Sequence, residues 1–351
     1  MLAATYTQGG VFAIADIPPP KIAADGMLLR VTAASICGTD AKIIRNGHRK
    51  LKPGQRIVLG HEFVGVIERV GQRVEAYRIG QRVGVVPNAG CGHCDACVRG
   101  QSNYCPDYTA FGIDRDGAHA PYVEIPGQFV TQGNVIPLPE TVSDREASLL
   151  EPFSCVVNGI RVSRIELGDA VVIYGAGPIG LLHAMLGRTA GAGKIMMIDP
   201  LEDRLNRARE LGCDVMVNPR RENVRDRVRH ETDGRGADVV ITACPVAEVQ
   251  SQAIGLLAPF GRLCLFGGLP NSVGPVTLDT NAIHYGNFLV TGSTGGSVQD
   301  YRIALRLVAG KRVDLTRIIS DTFPLAELDK AYQTALVGPA GKVVLTAEER
   351  P

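Results

Sequence analysis

Cys91-Gly-His-Cys94-Asp-Ala-Cys97, followed by Cys105, gathers four thiols into one glycine-bearing stretch. C-x-x-C spacing lets sulfurs converge on a single tetrahedral ion, and zinc accepts four thiolates in closed structural sites. Redox disulfides and incidental core cysteines are the alternatives, and both fit this spacing poorly. A site without a vacancy takes no substrate, so Cys91, Cys94, Cys97 and Cys105 are expected to brace a loop that lacks its own core. His93 sits inside the loop, but a complete thiolate set leaves it no position. Cys213, Cys244 and Cys264 fall on or beside apolar runs and read as small core residues.

A second chemistry is written in Asp169-Ala-Val-Val-Ile-Tyr-Gly175-Ala-Gly177-Pro178-Ile179-Gly180, a strand, a G-x-G-x-x-G turn and a helix start. Gly175 permits the tight turn, Gly177 lets a pyrophosphate approach the backbone, and Gly180 allows close helix–strand packing. The helix N-terminus offers unpaired N–H groups and a positive dipole end to phosphate. Such a motif alone is weak in a chain with 41 glycines. Its context here is strand, turn and helix, with Asp199 closing the next strand at the expected offset of about 20 residues. A carboxylate there accepts hydrogen bonds from ribose hydroxyls and repels a 2′-phosphate, which favours NAD over NADP. The competing reading of Asp199 is a strand-end turn residue. Arg204 is near enough in sequence to reach the adenosine end, or to be a solvated helix arginine.

Elements must hold these residues. A chain of 351 residues predicts two domains. With 45% hydrophobic and 21% charged residues and a formal net charge of +1, it shows no field suited to nucleic acid or an anionic membrane surface. Met1–Asp16 lacks the basic and apolar regions of a signal peptide, and no apolar run is long enough to span a bilayer. Nine cysteines are then expected in a reducing cytoplasm, where clustered thiols bind metal.

Residues 1–155 read as β-rich, with short apolar runs at Met27–Ala33, Ile57–Leu59, Phe63–Val70 and Arg82–Val86 between glycine, proline and polar turns. From Asp169 the rhythm becomes strand–helix alternation. Ala170–Tyr174, Lys194–Ile198, Val215–Val217, Val239–Ala243, Arg262–Phe266 and Phe288–Gly292 are predicted strands, and helical spacing joins Leu201, Leu205, Ala208 and Leu211. That pattern implies an α/β fold with a doubly wound parallel sheet. Amphipathic helices are predicted around Asp300–Ala309 and Leu325–Leu336, then a last strand at Lys342–Leu345. This tail either closes the nucleotide domain or returns to complete the first one.

Three pieces remain: Cys37-Gly-Thr39-Asp40, Gly60-His61-Glu62 and Glu151-Pro152. Each is commonplace alone. Taken in order with Gly71…Val74…Gly80-Gln-Arg-Val83, the cysteine quartet and Gly175–Gly180, the whole chain resembles the medium-chain zinc-dependent alcohol dehydrogenases, in their sorbitol (polyol) and threonine dehydrogenase branch. The resemblance implies a Rossmann NAD-binding domain over 156–293 and a β-rich GroES-like catalytic domain over 1–155, completed by 294–351. It further implies a catalytic zinc held by Cys37 and His61, with Glu62 and Glu151 as ligand or immediate neighbour; which of the two binds directly stays open. Asp40 would orient His61 in a carboxylate–histidine–zinc arrangement. Gly267, Ser293 and Thr294 would lie beside the cofactor. Two zinc ions per subunit, NAD and a homodimer or homotetramer follow from the same resemblance.

An open zinc position lowers the pKa of a bound hydroxyl, and hydride then passes to the cofactor. Thr39, two residues from Cys37, can take the proton. Many family members carry a histidine where this chain has Lys42; Lys42 is then a surface lysine, with Glu151 and a water as a substitute base. Sorbitol dehydrogenases carry an arginine in the loop that here reads Gly292-Ser-Thr-Gly-Gly-Ser297. Its absence argues against sorbitol, and a loop of small residues, which leaves room and exposes backbone N–H groups, suits a larger or phosphorylated polyol or ketose. His48, Arg49 and Arg56 border substrate by the resemblance and read equally as solvated loop residues. The expected activity is oxidation of a secondary alcohol of a polyol, sugar or sugar phosphate. The alternatives are L-threonine 3-dehydrogenase and, from another class, a non-catalytic NAD-binding zinc protein or redox sensor.

Overall fold

Apolar runs alternating with helices from Ala170 onward fold as six parallel strands in a computed structural model of the chain, which describes residues 1–270, 272–338 and 341–347. Position 271, positions 339–340 and 348–351, the last of which end the predicted returning segment, lie outside the described residues. The strands run in the order Val215–Val217, Lys194–Ile198, Ala170–Tyr174, Ala237–Thr242, Leu257–Leu265, Leu289–Gly292. All five pairings are parallel, and the order reverses at Ala170–Tyr174. Such a reversal opens a crevice at the carboxyl ends of the strands. Val172, Val240 and Leu263 are fully buried in this sheet, each stabilising it by roughly 1.5–3 kcal/mol.

One strand differs from its prediction by more than two residues. Leu257–Leu265 begins five residues before Arg262, because Leu257 already pairs with Ala237 ahead of a register shift. The Ala-Pro-Phe-Gly segment inside it reads as a turn in sequence. In the structure Phe260 takes φ +64 and stands exposed, and the ladder resumes at Arg262, opposite Val239.

The chain divides into two compact units, Cys155–Gly295 and Met1–Ser154 with the described part of Gly296–Pro351. The second contains a sheet in the order Val135–Pro137, Arg82–Val85, Glu62–Val70, Met27–Ser35, Lys342–Thr346, Ile319–Pro324, with Tyr122–Ile125 also paired to Met27–Ser35. Leu2–Thr7 pairs with Val11–Asp16 and Arg56–Val58 in a smaller sheet. The tail therefore contributes a strand beside Met27–Ser35, with Val344 opposite Ser35. Ser35 faces Glu62 on its other side. The core of this unit gathers Leu29, Phe63, Ile67, Phe111 and Phe129 with Leu328 and Tyr332 from the tail.

Candidate active site

Cys37 caps the helix Gly38–Asn46, and Asp40 in its first turn returns a carboxylate to the Cys37 N–H at 2.9 Å. The other oxygen of Asp40 accepts the Gly60 N–H at 3.3 Å. Asp40 is fully buried, so it ties the backbones of two distant segments together. Gly60 has φ +94, and a Cβ there would lie 2.3 Å from the His119 ring. Only glycine turns the chain at this point, which delivers His61 and Glu62 beside Cys37.

The result is a cluster in which Cys37 Sγ, a His61 ring nitrogen and a Glu62 oxygen lie within 4.8 Å of one another. Sulfur, nitrogen and oxygen donors of this kind suit zinc. His61 Nδ1 is buried without a hydrogen-bond partner, 3.7 Å from Asp40 Oδ1. At this distance Asp40 does not hydrogen-bond His61; its carboxylate stands beside the ring as a charge and also holds the Cys37 and Gly60 backbones. Burial opposes a charge on His61, yet Cys37, Asp40 and Glu151 together hold its pKa well above the ordinary value. A field that draws a proton draws a cation, and the donor set fits one.

Glu151 lies in the first turn of the helix Leu150–Ser163, half-buried. Its charge is felt at His61 and Lys342, but it is not one of the three clustered donors. Thr39 is half-buried on the first turn of Gly38–Asn46, and Lys42 is exposed one turn on. His48 is half-buried with its Nδ1 accepting the Lys50 N–H, whereas Arg49 and Arg56 are exposed.

Cys91, Cys94, Cys97 and Cys105 bring all four sulfurs within 4.8 Å of one another. Backbone N–H groups of His93 and Cys94 lower the Cys91 thiol to about 6, and burial raises Cys97 to about 12. Gln128 and Gln132 both donate to the Gly90 carbonyl, at 2.7 and 2.9 Å, and so pin the loop. His93 is exposed, with Nδ1 3.1 Å from the Cys91 carbonyl, and stands outside the donor set.

In the other unit, Gly175 turns at φ +97, and a Cβ on Gly180 would meet the Gly175 carbonyl at 1.8 Å. Gly177 caps the helix Pro178–Ala190, with open space where a side chain would stand. Pro178 and Ile179 form its first turn. Gly175, Asp199 and Arg204 line a cavity of about 990 Å³, together with Glu222, Arg225 and Cys244. Cys244 is therefore a half-buried wall residue, while Cys213 and Cys264 are buried as expected. Both oxygens of Asp199 already accept backbone N–H groups, from Ala176 and from Leu201 at 2.9 Å each, and Arg204 stands 3.8 Å away. Gly267, Ser293 and Thr294 do not line this cavity. Gly267 donates to the Thr242 carbonyl and Ser293 to that of Leu265. The Ser293 hydroxyl is buried with no partner, and Thr294 is exposed.

The alcohol dehydrogenase GroES-like domain profile matches residues 23–140, and the zinc-binding dehydrogenase profile matches 178–310. An L-threonine 3-dehydrogenase of Caldanaerobacter subterraneus is 34% identical over 93% of this chain and 92% of its own. The chain belongs to the zinc-dependent medium-chain alcohol dehydrogenase family. An alcohol dehydrogenase of Thermus sp. ATN1 superposes with TM-score 0.89 at 29% identity over 99% of this chain and all of its own. A Sinorhizobium meliloti 1021 protein solved with NADP does so with TM-score 0.88, also at 29% identity, over 98% of each. The protein is accordingly an oxidoreductase acting on CH–OH groups, with zinc and a nicotinamide dinucleotide as cofactors, and its fold joins a GroES-like domain to a doubly wound one. No described helix is long and apolar enough to cross a membrane.

Several residues around this dehydrogenase's metal cluster escape sequence reasoning. Lys342 and Ser35 both bond the Glu62 carboxylate, and His119 pairs with Tyr332 next to it. A lysine heading an apolar strand was the one visible signal.

Proposed function

We propose that the chain oxidises the secondary hydroxyl of a small polar alcohol to a ketone with NAD, and that L-threonine, oxidised at its 3-hydroxyl, heads the substrate candidates. The observation that carries the activity is the Cys37–His61–Glu62 donor cluster. What favours threonine over the polyol expectation is the near full-length likeness to an L-threonine 3-dehydrogenase. A polyol or ketose remains the second reading, supported by the small residues of the Gly292–Ser297 loop.

Cys37 and His61 would hold the catalytic zinc with a carboxylate from Glu62 or Glu151, and the four cysteines would hold the structural one. Zinc supplies Lewis acidity toward the alcohol oxygen and NAD accepts the hydride, so that alcohol and NAD⁺ give ketone, NADH and one proton. The chain's own part is to receive that proton and to orient the reacting groups. Thr39, on the first turn of the Cys37 helix, would take the proton, and Lys42, three residues on, is exposed to solvent. Asp40 fixes the Cys37 and Gly60 backbones, which sets where the ligands can stand. NAD rather than NADP rests on the Asp199 carboxylate, whose charge opposes a 2′-phosphate. A cytoplasmic homodimer or homotetramer is the expected form, and light scattering gives its number.

The test is NADH formation from L-threonine, polyols and their phosphates, with and without chelator. Turnover of threonine well above every polyol is the expected outcome. A phosphorylated polyol turned over best would move the assignment to the second reading, and NADH binding without turnover of any alcohol would favour a sensor.

A further inference from the structure

Around Glu62, one of the clustered donors, lies a set of buried polar groups. Glu62 is fully buried at the head of Glu62–Val70. Opposite it in register, Ser35 donates its hydroxyl to Glu62 Oε2. Lys342, from the strand on the far side of Ser35, places its ammonium 2.6 Å from Oε1 and bonds Oε2 as well. The same ammonium reaches the Ile36 carbonyl at 3.3 Å. Lys342 is the only buried lysine among the described residues. His119 braces the other side, with Nδ1 2.6 Å from the Tyr332 hydroxyl and Nε2 3.2 Å from the Ser35 carbonyl.

An ionised carboxylate offers about four lone-pair sites. Lys342 uses one on each oxygen and Ser35 uses another on Oε2, which leaves a single site on Oε1. Glu62 thus stands within reach of Cys37 and His61 while its acceptor capacity is nearly filled by others. Charge points the same way. Glu62 and Lys342 neutralise each other, so a divalent ion here is balanced by the Cys37 thiolate and one further carboxylate.

Resting on the metal-centre reading above, we propose that Lys342 is a positioning residue that holds Glu62 off the metal and leaves the carboxylate ligand position to Glu151. The segment that returns after the nucleotide-binding unit would in this way choose between the two carboxylates. Without Lys342, Glu62 is a buried anion whose nearest available counter-charge is the metal itself, and it becomes a ligand.

Cobalt(II) substitution of the whole protein tests this. The absorption difference between the protein and its Cys37→Ser variant isolates the Cys37 centre from the four-cysteine site. Lys342→Met is expected to change that difference spectrum and to slow cobalt release to a chelator about tenfold. Adding Glu62→Gln to Lys342→Met should restore the original spectrum, and Lys342→Arg should never lose it. A lysine with a merely supporting role would on removal weaken the metal roughly 10–100-fold, so the sign separates the two. Faster release, or an unchanged spectrum in Lys342→Met, overturns the proposal. Should Lys342→Met not fold, Glu62→Gln alone decides: an unaltered spectrum supports the proposal and an altered one overturns it. Absence of any cobalt signal from the Cys37 centre in the unmutated protein would instead sink the metal-centre reading, and the proposal with it.

Discussion

Asp199 shows how one carboxylate serves structure and selectivity together. Its oxygens accept the Ala176 and Leu201 N–H groups, so the turn-residue reading of this position is correct as far as it goes. Asp199→Ala should cost roughly 1–3 kcal/mol, because buried donors lose their acceptor. It should also lower the ratio of kcat/KM for NAD to that for NADP. A thermal melt and the two kinetic constants check both. Lost stability with an unchanged ratio would mean that the residue shapes the turn alone. At this scale the mixed donor set was legible only through the family resemblance, since its three pieces are commonplace alone, and Cys37, His61 and Glu62 come together in the structure. Lys342 was not, because its partner lies 280 residues away in sequence, and strand pattern says nothing of which chain comes alongside.

Among the elements, the helix Pro178–Ala190 carries a side chain that motif reading passes over. His183 is fully buried on it, edge-on to Phe266 at 4.6 Å, and neither ring nitrogen has a partner. Burial lowers its pKa from the ordinary 6.5 to about 3. Below pH 6.5 the unfolded chain therefore binds a proton that the folded chain refuses. The stability contributed by neutral His183 is fully present above pH 6.5 and is lost as pH falls toward 3, about 2 kcal/mol of it by pH 5. His183→Leu should flatten the dependence of the urea midpoint on pH between 5 and 6.5; an unaltered slope would contradict this. Element type and order were readable from apolar runs, as at Ala170–Tyr174 and Lys194–Ile198. The early start of Leu257–Leu265 was not, because it depends on pairing with Ala237 across a register shift. Local sequence there spells a turn.

Across the whole molecule, one unit supplies metal donors and the other supplies the dinucleotide fingerprint. The unit bearing the donors needs strands from both ends of the chain. The two thiol-containing clusters are separate in sequence and differ in their donors, four sulfurs against a mixed set. Cys97→Ser should thus remove the brace and lower stability, since structural zinc sites contribute folding energy directly. Differential scanning calorimetry reads that loss. Cys37→Ser removes a donor from the mixed set and leaves the brace intact.

Zinc content of Cys37→Ser, measured by atomic absorption on the same sample assayed for NADH formation, tests the central claim most directly. The account predicts two zinc ions per chain in the unmutated protein, one in the variant, and a loss of turnover exceeding the roughly 10–100-fold typical of residues that merely support a ligand. A Cys37→Ser protein that keeps both ions and turns over its alcohol at the original rate would contradict it.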